Sequence, residues 1–168
     1  MTKPVCVLVG APGAGKSTVG ALVAERLGRA YADSDDLIVE RAGKPISDIF
    51  IDDGEPAFRA LEAETIATAL SGFDGVLALG GGAILDPATR ALLKDQDVVY
   101  LTVELGEAIK RIGLNQSRPL LAVNPRATLR HLLAQRTPLY EEVATHTIAT
   151  DDLDADRVAD VVVAALEL

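Results

Sequence analysis

Val5-Cys-Val-Leu-Val-Gly10-Ala-Pro-Gly-Ala-Gly15-Lys-Ser-Thr18 is the stretch from which the fold can be read. Its first five residues are apolar without interruption, which suits a short strand buried on both faces. Gly10, Gly15, Lys16 and Ser17 then match the pattern G-x-x-x-x-G-K-[ST]. Glycines at these positions let backbone N–H groups turn inward toward phosphate oxygens. A helix follows, read over Lys16–Leu27 and stopped at Gly28, and its positive end points at the same anion. Lys16 is placed to neutralise the outer phosphates, and the Ser17 hydroxyl to ligate Mg²⁺. Residues 10–18 as a whole, Gly13, Ala14 and Thr18 included, therefore predict a nucleoside-triphosphate cradle between a strand and a helix.

Outward from this loop, short extended runs alternate with helical ones. Ala30–Asp33 reads as a strand, and Ser34 stands where it could cap a helix reaching Glu40 or Arg41. Residues 46–70 read as helix in two pieces, divided near Asp52-Asp53-Gly54. Further strands are expected at Gly75–Leu79, Val98–Val103 and Thr145–Ala149. Helices are expected at Asp86–Leu93, Glu104–Ile112, Arg126–Gln135 and Asp154–Leu166, with a loop over 113–124. This alternation predicts an α/β fold with a parallel sheet covered on both faces, in one domain spanning 1–168. Ligands of such sheets sit beyond the carboxyl ends of the strands. Lys16, Asp33, Asp35 and Gly80-Gly81-Gly82 all follow strand ends, so they should converge on one edge.

Composition narrows the partners. The chain has 168 residues, 49% hydrophobic, with a formal net charge of −9. That acidity argues against nucleic acid as a partner. The apolar run at the N-terminus is too short to span a membrane, Gly10 interrupts it, and no small-residue cleavage site follows, so the expected location is the cytoplasm. No apolar interface stripe is evident, which favours a monomer. Cys6 is the sole cysteine, so no internal disulfide can form. Cys6, His131 and His146 share no metal-type spacing. An acidic protein that handles phosphates needs a local cluster of cations, for which the candidates are Lys16, Arg59, Arg111, Arg118 and Arg136.

The phosphate loop does not name an acceptor. A GTPase would carry an Asn-Lys-x-Asp run, and none is present. A motor or transporter ATPase usually has an apolar strand ending in an acidic residue, whereas Val76-Leu77-Ala78-Leu79 ends in glycines. A small-molecule kinase is favoured. Phosphoryl transfer to an alcohol needs one carboxylate near Mg²⁺ and another to orient, or deprotonate, the attacking hydroxyl. Asp33 and Asp35 are two apart, so in an extended segment they would point the same way, with Asp36 facing solvent. Glu62 lies three residues after Arg59 and could fix its guanidinium on a helix face, ready to clamp a carboxylate. Gly80, Gly81 and Gly82 permit close backbone approach and could donate N–H groups to a ligand. Arg118, in the loop Asn115–Leu121, could close over the phosphates. Arg136 is a further cation, read at a helix end.

Taken in order, Gly-x-Pro-Gly-x-Gly-Lys-Ser-Thr, Asp-x-Asp, Asp-Ile-Phe…Gly-Glu…Phe-Arg-x-x-Glu, Gly-Gly-Gly, Arg-Pro-Leu-Leu and Arg-x-Pro-Leu-Tyr resemble the shikimate kinase family from Val5 to Val143. The resemblance implies transfer of the ATP γ-phosphoryl group to the 3-hydroxyl of shikimate, on the route to chorismate and aromatic amino acids. It implies a three-layer P-loop kinase fold with five parallel strands in the order 2-3-1-4-5, a shikimate-binding segment at about 34–62 and a lid at about 113–124. Lys16 and Ser17 match the phosphate and Mg²⁺ ligands. Asp33 matches the acid that reaches Mg²⁺ through water, and Asp35 the acid that binds the shikimate hydroxyls. Arg59 and Arg136 match the pair that holds the carboxylate, with Glu62 orienting Arg59. Gly80, Gly81 and Gly82 match the backbone site for substrate, Phe50 and Phe58 the walls beside the ring, and Arg118 the lid arginine. Arg111 matches an adenine contact. The family often has a proline in the loop after the last strand, but Thr150–Asp156 has none, so adenine contacts beyond Arg111 stay open. The rivals are a sugar-acid kinase such as gluconate kinase and a nucleotide-binding module without catalysis. The triple glycine and the Asp-Ile-Phe…Phe-Arg segment weigh against the first. Intact Lys16, Asp33, Asp35 and Arg118 weigh against the second.

Overall fold

Strand β1 (Cys6–Val9) enters the phosphate loop, and α1 (Lys16–Leu27) leaves it. The chain continues through β2 (Ala30–Asp33), α2 (Ser34–Ala42), α3 (Ile46–Asp53) and α4 (Glu55–Gly72). Then come β3 (Gly75–Ala78), a 3₁₀ turn (Ala83–Leu85), α5 (Pro87–Leu93), β4 (Val98–Thr102) and α6 (Leu105–Ile112). The chain closes with α7 (Pro125–Val143), β5 (His146–Ala149) and α8 (Ala155–Ala165). This is a computed structural model, and it describes residues 2–11, 13–112 and 125–166. The expected lid, with Arg118, lies outside the described residues, as does the side chain of Arg111. No described helix is long and apolar enough to cross a membrane.

The five strands form one sheet in the order β2-β3-β1-β4-β5, with every pairing parallel. Its centre is β1, β3 and β4, and their alternating side chains feed two separate cores. Cys6, Leu8, Val76, Ala78, Val99 and Leu101 pack against Val19 and Val23 of α1 and Val158 and Val162 of α8. Val7, Val9, Leu77, Val98 and Tyr100 pack against Ile66 and Leu70 of α4, Leu93 of α5, and Tyr140 and Val143 of α7. Both faces are covered, so these strands read in sequence as unbroken apolar runs. Full burial of such a side chain is worth about 1.5–3 kcal/mol. The three central strands, not the half-exposed β2 and β5 at the edges, therefore carry the core.

Two local expectations change. Asp33, not Ser34, caps α2: its carboxylate accepts from Asp35 N–H at 2.8 Å, while Ser34 is the first helical residue. Because Asp35 is helical, the extended-segment argument for the two aspartates does not apply to it. Helix α7 also runs on to Val143, through Pro138. A proline removes a donor and disfavours helix just before it, which is why the sequence suggested an end near Gln135. The burial of Tyr140 and Val143 in the core outweighs that local cost. Arg136 thus sits inside α7, not at its end.

Candidate active site

The carboxyl ends of β1, β2 and β3 open into a cleft of about 200 Å³. Gly13, Gly15, Lys16, Ser17 and Thr18 line one side, Asp33 and Asp35 a second, and Leu79, Gly80 and Gly81 a third. Gly13 and Gly15 have φ of 86° and 85°. Only glycine adopts that conformation without strain, and it lets the loop curl around an anion. No side chain caps α1 at Gly15, so the helix N-terminus presents its positive end to the cleft. Lys16 lies back along the loop, its Nζ donating to Gly10 O at 2.6 Å and Ala11 O at 3.1 Å. Ala14 is buried beneath the loop, with its N–H on Ala11 O.

Asp33 joins the loop to the second wall. Ser17 Oγ donates to Asp33 Oδ2 at 3.0 Å, and the Tyr31 hydroxyl approaches the same oxygen at 3.4 Å. Burial pushes the Tyr31 hydroxyl up to about 12, so it remains protonated. The Tyr31 ring lies against α1 where a Cβ on Gly20 would come within 2.5 Å of it, which accounts for a glycine in the middle of that helix.

Asp35, in the first turn of α2, faces the triple glycine. A Cβ on Gly80 would stand 2.8 Å from Asp35 Oδ1 and 3.5 Å from Glu62 Oε2. Glu62 is buried on α4 and accepts from Arg59 Nη1 at 2.9 Å. Burial raises its pKa above the ordinary carboxylate value. Arg59 and Arg136 pull it down, and Asp35 adds to the rise. These four groups therefore share one electrostatic neighbourhood. Arg59 also lies 5.2 Å from the centre of the Phe58 ring, which packs on Phe50 at 4.7 Å between centroids. Arg136 is 7% exposed, and its Nε has no hydrogen-bond partner among the described residues. A buried guanidinium with an unfilled donor is suited to an anionic ligand.

The triple glycine is gripped from three sides. Gly80 N–H donates to Ser34 Oγ at 2.9 Å, and the Tyr140 hydroxyl donates to Gly81 O at 2.6 Å. The Arg59 guanidinium packs where a Cβ on Gly82 would be. The first contact corrects the expectation that all three glycines turn their N–H groups to a ligand, because that of Gly80 is already engaged. Ser34, Tyr31 and Tyr140 were not anticipated as parts of the site. Ser34 leaves a signal in the sequence as a polar residue between two site aspartates, and Tyr140 as the last residue of the Arg-x-Pro-Leu-Tyr motif, whereas Tyr31 leaves none. Asp36 is exposed, as expected.

Comparison with known proteins gives a consistent picture. The family model described as shikimate kinase matches residues 12–167. A shikimate kinase of Streptomyces avermitilis is 61% identical over 168 residues, covering 100% of this chain and 98% of that protein. One of Salinispora arenicola is 59% identical over 163 residues, with 97% of each covered. Among solved structures, a shikimate kinase from Acinetobacter baumannii in complex with shikimate superposes with a TM-score of 0.93 at 40% identity, over 99% of this chain and 94% of that one. A gluconokinase from Sinorhizobium meliloti superposes with a TM-score of 0.60 at 20% identity, a likeness of fold alone.

Proposed function

The chain belongs to the shikimate kinase family of ATP-dependent kinases, and on that premise we propose how its residues share the transfer of the γ-phosphoryl group to the 3-hydroxyl of shikimate. The products are shikimate 3-phosphate and ADP, on the route to chorismate and aromatic amino acids. The observation that carries this reading is the joining of two half-sites in one cleft. Ser17 of the phosphate loop touches Asp33, and two residues on Asp35 faces Gly80.

On the donor side, the backbone of Gly13–Thr18 and the Lys16 ammonium hold the ATP phosphates, with Arg111 beside the adenine and Arg118 closing over the transferred group. The Ser17 hydroxyl and the Asp33 carboxylate are hard oxygen donors, the type Mg²⁺ prefers. They would hold the ion, Asp33 through water, and when bound the ion neutralises charge on the phosphate oxygens. On the acceptor side, Arg59 and Arg136 hold the carboxylate of shikimate, with Glu62 fixing Arg59. Phe50 and Phe58 flank the ring, and the Gly80–Gly82 turn lies under it. Asp35 accepts a hydrogen bond from the attacking hydroxyl and takes its proton as the oxygen bonds to the γ-phosphorus and ADP leaves. Positioning and charge stabilisation supply most of the rate in such transfers. We place the enzyme in the cytoplasm as a monomer with two small-molecule partners, shikimate and ATP.

The test is ADP release measured with shikimate, with gluconate and with no acceptor. Release should depend on shikimate. Equal release without it would refute the assignment of acceptor.

A further inference from the structure

Ser34 lies between the two site aspartates and is fully buried. Its hydroxyl does not cap α2, because Asp33 performs that task. Instead Ser34 Oγ accepts the Gly80 N–H at 2.9 Å, across 46 residues of sequence. This bond ties the first turn of α2, which carries Asp35, to the end of β3, which carries the triple glycine. The fit at that point is tight, since the position of a Cβ on Gly80 is 2.8 Å from Asp35 Oδ1. The Asp33 side chain, bonded to Asp35 N–H, fixes the turn on its other flank. Removal of the Ser34 oxygen would leave a backbone donor without its partner. It would also free the turn that aims Asp35.

We propose that Ser34 is a positioning residue for the acceptor hydroxyl: by holding Gly80 N–H it sets the place of the Asp35 carboxylate over the triple glycine. The inference rests on Asp35 serving the acceptor hydroxyl. It predicts an effect on the acceptor half of the site and none on the donor half, because the phosphate loop makes no contact through this bond.

Ser34→Ala and Ser34→Thr separate the oxygen from the rest of the side chain. ADP binding by calorimetry reports the donor half. Ser34→Ala should leave ADP affinity within about twofold, lower kcat by about tenfold and raise the shikimate KM several-fold, the size expected for loss of one orienting hydrogen bond. Ser34→Thr, which keeps the oxygen, should restore most of kcat. In an Asp35→Asn background, Ser34→Ala should add less than about twofold, because residues that act through one another are not additive. A loss of ADP affinity in step with kcat, wild-type turnover in Ser34→Ala, or full additivity with Asp35→Asn would each overturn the proposal. A Thr variant that binds ADP normally yet stays as slow as the Ala variant would also count against it. If Asp35→Asn alone is harmless, it is the assignment of Asp35 that fails, a result distinguishable from additivity with a damaging Asp35→Asn.

Discussion

A methyl group on Gly82 would stand 2.5 Å from Arg59 Nη1 and 2.7 Å from Nη2. One on Gly80 would stand 2.8 Å from Asp35 Oδ1. In both cases the obstructing atom is the end of a side chain, so the backbone can persist and the side chain must move. The consequences differ because the two side chains have different proposed tasks. In Gly82→Ala the guanidinium leaves the orientation set by Glu62 at 2.9 Å. A misaligned bond to a charged group forfeits about 1.5–3 kcal/mol, so the shikimate KM should rise by about tenfold or more, since each 1.4 kcal/mol is a factor of ten. The ATP KM should stay within about twofold. Gly80→Ala displaces Asp35 instead, and there kcat should fall with the KM change secondary. Steady-state kinetics on both variants decide the matter: identical profiles would contradict separate tasks for the two glycines. The run of three glycines was plain in the sequence. Which glycine makes room for which side chain was not, because Arg59 and Asp35 arrive from α4 and α2, and nothing local to residues 80–82 encodes their approach.

At the scale of elements, β1, β3 and β4 were legible because each feeds both cores and so lacks the polar alternation of a half-exposed strand. Helix α7 was legible only in part. Local chemistry around Arg136-Thr-Pro138 argues for a helix end, and the force that overrides it, the burial of Tyr140, is tertiary. The extension matters to the site. Arg136 and Tyr140 are four residues apart and so share one face of α7, and the Tyr140 hydroxyl grips Gly81 O at 2.6 Å. Burial pushes that hydroxyl up to about 12, so it stays a donor. Tyr140→Phe keeps the ring against Tyr100, whose centroid is 5.1 Å away, and removes the hydroxyl with its bonds to Gly81 O and to Arg136. Leaving the part-buried carbonyl without its donor should cost about 0.5–1.5 kcal/mol in urea unfolding, since water in the cleft can reach it. The shikimate KM should rise more than the ATP KM, because the freed turn lies on the proposed acceptor side. A variant that is destabilised but kinetically unchanged would confine Tyr140 to the fold.

On the scale of the whole molecule, 25 acidic residues oppose 16 Lys and Arg, yet Arg59 and Arg136 gather around one buried carboxylate, Glu62. Gathering them has a cost written into global stability. Burial raises the Glu62 pKa above its ordinary value of 4.5, despite the opposing pull of both arginines. Between the unfolded and folded values, the folded state therefore binds more protons than the unfolded one, and stability falls as pH rises through that window. The contribution of Glu62 is fully present below about pH 4.5 and is lost as pH climbs through the folded value. Other carboxylates titrate over the same range, so the informative quantity is a difference. Unfolding free energies of the wild type and of Glu62→Gln, measured by urea titration from about pH 4 to pH 8, should diverge with pH, the wild type losing ground to a variant that cannot ionise. The same variant should bind shikimate more weakly, since Arg59 loses the anion that fixes it. A difference that is flat across the range would mean that Glu62 reaches its folded environment at no ionisation cost. A difference that slopes the other way would mean that the two arginines outweigh burial. The predicted slope, joined to the loss of binding, is the pattern of a site that holds its carboxylate for function at the expense of stability.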